Sequence, residues 1–361
     1  MPLQEPSQSG SRRSRGDAPG STLLLFCFAL ALLTGGAWLV TGCAQSSRQE
    51  SVDQNQQTRP RRSLPASSNG TPDAVNPNAN TAQTQMPETN REKKSDTNAP
   101  VPFYAALEEA LERRGMKLET TCAKTDAVER RVLEDYGAMF VASDAVVPPP
   151  VCMFASESEV VKFQNEAGHQ AAVVGGDRIE LQPAAMDALL AAREEARKQG
   201  LDITPRGGTE AARRSYQDTL RLWDTRFLPA LTHWRGRGRL SREQVTRLRN
   251  LPLRDQVREV LELEKSGIYF SKDFSKSILY SIAAPGTSQH ISMLALDVSQ
   301  FSDARVRRIL AGHGWFQTVK SDLPHFTYLG LAESELPSRG LRSVKSGAQL
   351  FWIPNVTSSS Q

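Results

Sequence analysis

The apolar positions divide this chain into three stretches. Residues 22–40 form an almost unbroken apolar run, whereas residues 44–100 hold no aromatic residue and almost no aliphatic run. From Val101 onward apolar positions recur at helical or strand spacing. The spacing predicts an amphipathic helix over 104–114 that ends near Gly115, a second helix over 125–136, and a strand-like run over 137–147. Residues 171–181 read as a hairpin with Gly175, Gly176 and Asp177 at its turn. A helix over 183–198 is closed by Gly200 at the C′ position. A short strand is expected over 201–204. A long helix follows over 209–227, with Tyr216, Leu220 and Trp223 on one face. Ser241 and Gln244 make a capping box that opens another helix. Residues 278–283, 294–298, 315–319 and 325–329 alternate like strands, a helix lies over 303–311, and 350–356 would be the last strand. The mixture predicts an α+β fold, a small antiparallel sheet flanked by helices, preceded by an N-terminal α/β extension. The organisation expected is 1–42, 43–100, 101–180 and 181–361.

Composition sharpens this outline. The net charge is +4 over 361 residues, without the large basic excess of a protein dominated by phosphate contacts, so no nucleic-acid partner is expected. Four cysteines are too few for a disulfide scaffold, and no CxxC pair marks a zinc ribbon or redox site. Residues 235–254 carry seven arginines against one glutamate. They form either a solvated face or a surface attracted to anionic wall polymer or lipid phosphate.

Arg12, Arg13 and Arg15 precede the apolar run, the arrangement of an export signal or, since the run is long enough to span a bilayer, of an uncleaved anchor. Val40-Thr41-Gly42-Cys43 resembles the lipobox of bacterial lipoproteins. That resemblance implies that residues 1–42 are a signal peptide and that Cys43 is diacylated and becomes the mature N-terminus. The protein would then be held on the extracytoplasmic side of a bacterial cell envelope. Residues 43–100, rich in Gln, Asn, Ser, Thr and Pro, read as a disordered tether with a reach of roughly 40 Å. In an exported protein Cys122 and Cys152 are expected to form a disulfide.

The chemistry concentrates between Ala284 and Gly330. Pro285-Gly286-Thr287-Ser288-Gln289-His290 is followed by Asp297, and later by Asp322 and His325. Two histidines and an aspartate make an open, catalytic type of zinc shell with a fourth position left for water. His290 and Asp297 are an odd number of residues apart, so the chain must curl between them to bring both side chains to one ion. His325 must come from a neighbouring strand. Asp322, three residues earlier, is close enough to reach the attacking water without ligating the ion.

This ordered set resembles the VanY-type zinc D-alanyl-D-alanine carboxypeptidases, which share a fold with the D,D-dipeptidases and the hedgehog domain. Ser288, His290, Asp297 and His325 match their Ser-x-His, Asp and later histidine, over a region of which only the last third is specific. The resemblance implies zinc held by His290, Asp297 and His325, and hydrolysis of peptidoglycan stem peptides. Asp322 would take the water proton, and Ser288 would support the site by hydrogen bonding. An arginine would stabilise the oxyanion, Arg206 by its context after a strand, with Arg214 as its rival. Met293 stands where the family has glycine, Asp322 stands where it has glutamate, and the interval from Asp297 to His325 is short. A peptidoglycan-binding lipoprotein that keeps the fold but hydrolyses weakly is the alternative. A structural envelope lipoprotein without metal is a third reading. Oligomeric state is not readable from the sequence.

Overall fold

Residues 99–356 are described by a computed structural model of the protein. The expected signal peptide, Cys43 and nearly all of the expected tether lie outside these residues. Among the described residues no helix is long and apolar enough to cross a membrane. The chain runs α1 (Phe103–Glu112), α2 (Leu118–Thr121), α3 (Ala127–Tyr136), α4 (Glu157–Ala167), the hairpin β1 (Gln170–Val174) and β2 (Asp177–Leu181), then α5 (Pro183–Lys198), α6 (Tyr216–Gly236), α7 (Arg242–Asn250) and α8 (Leu253–Lys265). It continues through β3 (Ala295–Asp297), α9 (Ala304–Gly312), β4 (Trp315–Phe316), β5 (His325–Tyr328), β6 (Leu341–Ser346) and β7 (Gln349–Pro354). The fold is α+β, with three small antiparallel sheets rather than one: β1-β2, β3-β5-β4 and β6-β7.

Local sequence explains most of these boundaries. Asp126 caps α3 by accepting the backbone N–H groups of Val128 and Glu129. The β1-β2 turn places Gly175 and Gly176 at φ 64° and 98°, the doubly left-handed geometry that suits the twist of a two-residue hairpin. The helix expected over 209–227 begins instead at Tyr216, because Ser215 and Asp218 close a capping box there. It then continues through Pro229 to Gly236. Residues 208–211 form only a short 3₁₀ turn. That leaves Arg213 and Arg214 on irregular backbone beside the β3 sheet.

Three strands expected from the pattern are absent. Residues 137–141 are a 3₁₀ turn in which all five residues are buried; a wholly buried apolar run has no alternation to tell a strand from a turn. Ile278–Tyr280 is another 3₁₀ turn, capped by the Ser277 hydroxyl. Residues 201–204 are irregular, and only Pro205 makes a bridge, to Val298, since proline cannot extend a ladder. Three helices, α2, α4 and α8, and the strand β6 add to the elements the pattern indicated.

The apolar core crosses the 180/181 boundary. Phe103, Leu107 and Phe140 belong to the same buried cluster as Trp223, Leu296 and Trp315. Cys122 and Cys152 are bonded, with Cα atoms 5.2 Å apart and a sequence separation of 30. Closing a loop of that size restricts the unfolded chain and stabilises the fold by about 3–4 kcal/mol.

Candidate metal centre

Two strands and one turn assemble the site. In the β3-β5 register Asp297 lies directly opposite His325, which puts both side chains on one face. His290 sits in the 3₁₀ turn Gln289–Ser292, whose N-cap Ser288 accepts the His290 N–H at 3.4 Å. The curl between turn and strand is made by Met293, at φ 57° and fully buried. That is the left-handed backbone a glycine adopts freely and a methionine adopts only at a cost of about 1–2 kcal/mol. Buried packing and the Gln182 N–H on its carbonyl, 3.1 Å away, hold Met293 there.

His290 Nε2, Asp297 Oδ1 and His325 Nδ1 converge. The three edges are 3.1 Å between the histidine nitrogens, 3.3 Å from His325 to Asp297 and 3.5 Å from His290 to Asp297. A tetrahedral ion bonded at about 2.0–2.1 Å separates its ligand atoms by about 3.3–3.4 Å. The donor set therefore fits a metal ion of zinc's size and geometry, and both histidines are at least 95 % removed from solvent.

The outward nitrogens are already committed. His290 Nδ1 faces the Ala212 carbonyl at 3.3 Å and His325 Nε2 faces Gln289 Oε1 at 2.7 Å. Gln289 cannot be turned round, because its Nε2 donates to the Tyr136 carbonyl at 2.7 Å. Thr327 donates to the same Gln289 oxygen at 2.6 Å and is itself hydrogen-bonded to Thr318. Both imidazoles must therefore donate outward, which leaves two lone pairs and a carboxylate facing one another. A cation resolves that arrangement, and outer hydrogen bonds of this kind fix ligand tautomers around metals. Burial, and then the Arg214 charge, push His290 down to about 4, keeping its ring neutral.

Arg214 is the arginine in contact with this group. Its guanidinium donates to Asp297 Oδ2 at 3.0 Å and to the Glu210 carbonyl at 3.1 Å, and its backbone N–H reaches the His290 carbonyl at 3.3 Å. Arg206, favoured by sequence context, is placed otherwise. Its backbone N–H pairs with the Asp297 carbonyl at 2.8 Å, but its guanidinium lies 5.6 Å from the Phe301 ring and does not line the cleft.

Sequence reasoning also passed over three glutamines, each reaching across a long stretch of chain. Gln164 donates to the carbonyls of Arg214 and Ile291, both at 3.0 Å. Gln182 donates to those of Val147 and Ser292, both at 2.8 Å. Gln289 holds His325, as above. Residues 101–180 thus clasp the turn that carries His290, and Phe154 adds a backbone bond to the Gly286 carbonyl at 3.0 Å. Only the position of Gln289, beside His290, hinted at such a role.

A cleft of about 330 Å³ opens onto the group, lined by Ser288, Gln289, His290, His325, Arg214 and Asp322, among others. Asp322 is exposed to water at the cleft, yet the surrounding protein is dense enough that desolvation raises its carboxyl pKa. The remaining histidines stand apart from the group. His313 follows α9 and pairs with Glu195 at 2.9 Å, and His233 stacks on Phe274. In comparisons with known proteins, the chain matches no family model and no curated sequence.

Proposed function

We propose that the protein is a zinc-dependent peptidase that hydrolyses D-alanyl-D-alanine-type bonds in peptidoglycan stem peptides. It would act as a carboxypeptidase, or as an endopeptidase on cross-links, anchored to the bacterial envelope through a lipidated Cys43. The observation that carries this reading is the convergence of His290 Nε2, Asp297 Oδ1 and His325 Nδ1 at tetrahedral spacing, with every outward nitrogen already bonded. Ligands on a turn and on two neighbouring antiparallel strands also suit the hedgehog/D,D-peptidase architecture that the motif resembles.

Zinc bound by these residues would supply Lewis-acid activation of water and of the scissile carbonyl. Asp322, on the cleft wall with a raised pKa, would accept the water proton and pass it to the leaving amine. Arg214 would fix the Asp297 carboxylate and bring positive charge to the cleft where the oxyanion develops. Ser288 accepts a hydrogen bond from the backbone of His290 and its hydroxyl bonds to no basic side chain among the described residues, so it would hold the turn and not attack substrate.

The test is zinc stoichiometry on the purified mature protein, together with D-alanine release from a pentapeptide. One zinc per chain is expected, with release abolished by His290→Ala. Absence of zinc after gentle purification would overturn the reading. The second reading, a weakly hydrolysing peptidoglycan-binding lipoprotein, is favoured by one observation. The Asp322 side chain makes no hydrogen bond to any described residue and is a methylene shorter than the glutamate it replaces. Stoichiometric zinc without release from either pentapeptide or intact murein would select it.

A further inference from the structure

Resting on the peptidase reading, the charges of the cleft point to a residue that sets substrate choice. We propose that Lys276, on the loop between α8 and the Ile278–Tyr280 turn, recognises the free C-terminal carboxylate of the peptide substrate. A peptide ending in a carboxylate places that group one residue beyond the scissile bond, on a cleft wall that also carries Asp322, where a cation with no other partner would receive it. Arg214 is committed to Asp297 and to the Glu210 carbonyl, and Arg206 does not line the cleft. Lys272 and Lys276 are the other cations on its wall, and neither makes a salt bridge among the described residues.

Lys276 is the better held of the two. Its ammonium lies 4.5 Å from the centre of the Tyr280 ring, which is 49 % exposed and lines the same cleft. A cation over an aromatic face is oriented and keeps its donors for a ligand. The backbone beneath it is fixed as well. Lys276 donates its N–H to Ser271 Oγ at 2.9 Å and accepts the Ser271 N–H at 3.1 Å. Asp273, the carboxylate nearest in sequence, accepts the hydroxyls of Ser271 and Ser275, each at 2.7 Å, and pairs with neither lysine. Phe274 takes the left-handed φ of 58° while its ring stacks on His233 at 4.1 Å. Strained backbone locked by side-chain contacts is a mark of a preorganised loop.

The experiment compares N-acetyl-D-alanyl-D-alanine with its C-terminal amide, binding each to the metal-free full-length mature protein by calorimetry. The native chain should bind the acid about tenfold more tightly than the amide, the size expected for one charge-assisted hydrogen bond. Lys276→Met should erase that preference, Lys276→Arg should keep most of it, and all three proteins should melt alike. Equal binding of acid and amide by the native protein, or an undiminished preference in Lys276→Met, would overturn the proposal. D-alanine release by the zinc-loaded protein is scored separately. Release with no lysine-dependent preference sinks the lysine assignment alone, and lysine-dependent binding with no release sinks the peptidase reading alone.

Discussion

His290 Nε2 and His325 Nδ1 lie 3.1 Å apart in the interior, and neither ring has a proton to give the other. Each donates outward, to Ala212 and Gln289. The pair therefore gains little from its own closeness and waits for a positive charge.

That arrangement sets the acid stability of the metal-free protein. Burial, and then Arg214, hold His290 at about 4, against about 6.5 in an unfolded chain. Between those values the unfolded state binds the extra proton, so stability present above pH 6.5 is lost as pH falls towards 4. The loss from this one ring is about 3 kcal/mol. Denaturant midpoints in chelator should fall steadily from pH 7 to pH 4.5, and His290→Gln should flatten the slope. A native midpoint that stays level across that window would contradict the tautomers assigned here.

Gln289 should matter to metal affinity although it touches no metal. Its oxygen holds the His325 ring and its nitrogen is anchored on Tyr136. Gln289→Ala removes that orientation and should weaken zinc binding about 10–100-fold. It also leaves the His325 Nε2–H without its buried acceptor and takes the amide donor from the Tyr136 carbonyl, at about 1–3 kcal/mol each. Competition with a chelator reads the first effect and thermal melting the second.

The motif residues were legible because their logic is local. Period-two alternation marks β3 and β5, and antiparallel pairing then sets Asp297 against His325. The supports were not legible, because each spans a long separation in sequence. Gln164 bonds to residues 50 and 127 positions away, and Gln182 to one 110 positions away. Nothing in a helical or strand period announces such partners. Arg206 was preferred for following a short strand, but residues 201–204 form none, and the Ser215 cap instead leaves Arg214 on the segment that faces Asp297. β6 escaped the pattern because four of its six residues are exposed, leaving too little apolar alternation to read.

The two arginines should separate cleanly in an assay. On the peptidase reading, Arg214→Met frees the Asp297 carboxylate and removes positive charge from the cleft, and should lower kcat/KM about 10–100-fold, as loss of a group that orients a metal ligand does. Arg206→Met keeps the backbone bond to Asp297 and should change kcat/KM by no more than about threefold, the scale of a surface charge. Steady-state kinetics on the pentapeptide, with zinc content measured alongside, makes the comparison. A larger loss in Arg206→Met than in Arg214→Met would reverse the assignment.

Gly286 offers a sharper structural test, since it stands two residues before Ser288 and four before His290. Its φ is 76°, and a Cβ added there would overlap the backbone carbonyl of Phe154, which cannot swing aside as a side chain can. Gly347, in the β6-β7 turn, has a similar φ of 58° with open space around it. Alanine at Gly347 should therefore cost only the backbone strain, about 1–2 kcal/mol. Alanine at Gly286 adds the clash and breaks the Phe154–Gly286 hydrogen bond, so its destabilisation should exceed about 3 kcal/mol. Because the clash displaces the segment that leads to His290, zinc stoichiometry should fall in Gly286→Ala and hold in Gly347→Ala. Melting temperature and metal content, measured on both variants, check the two halves of that expectation independently.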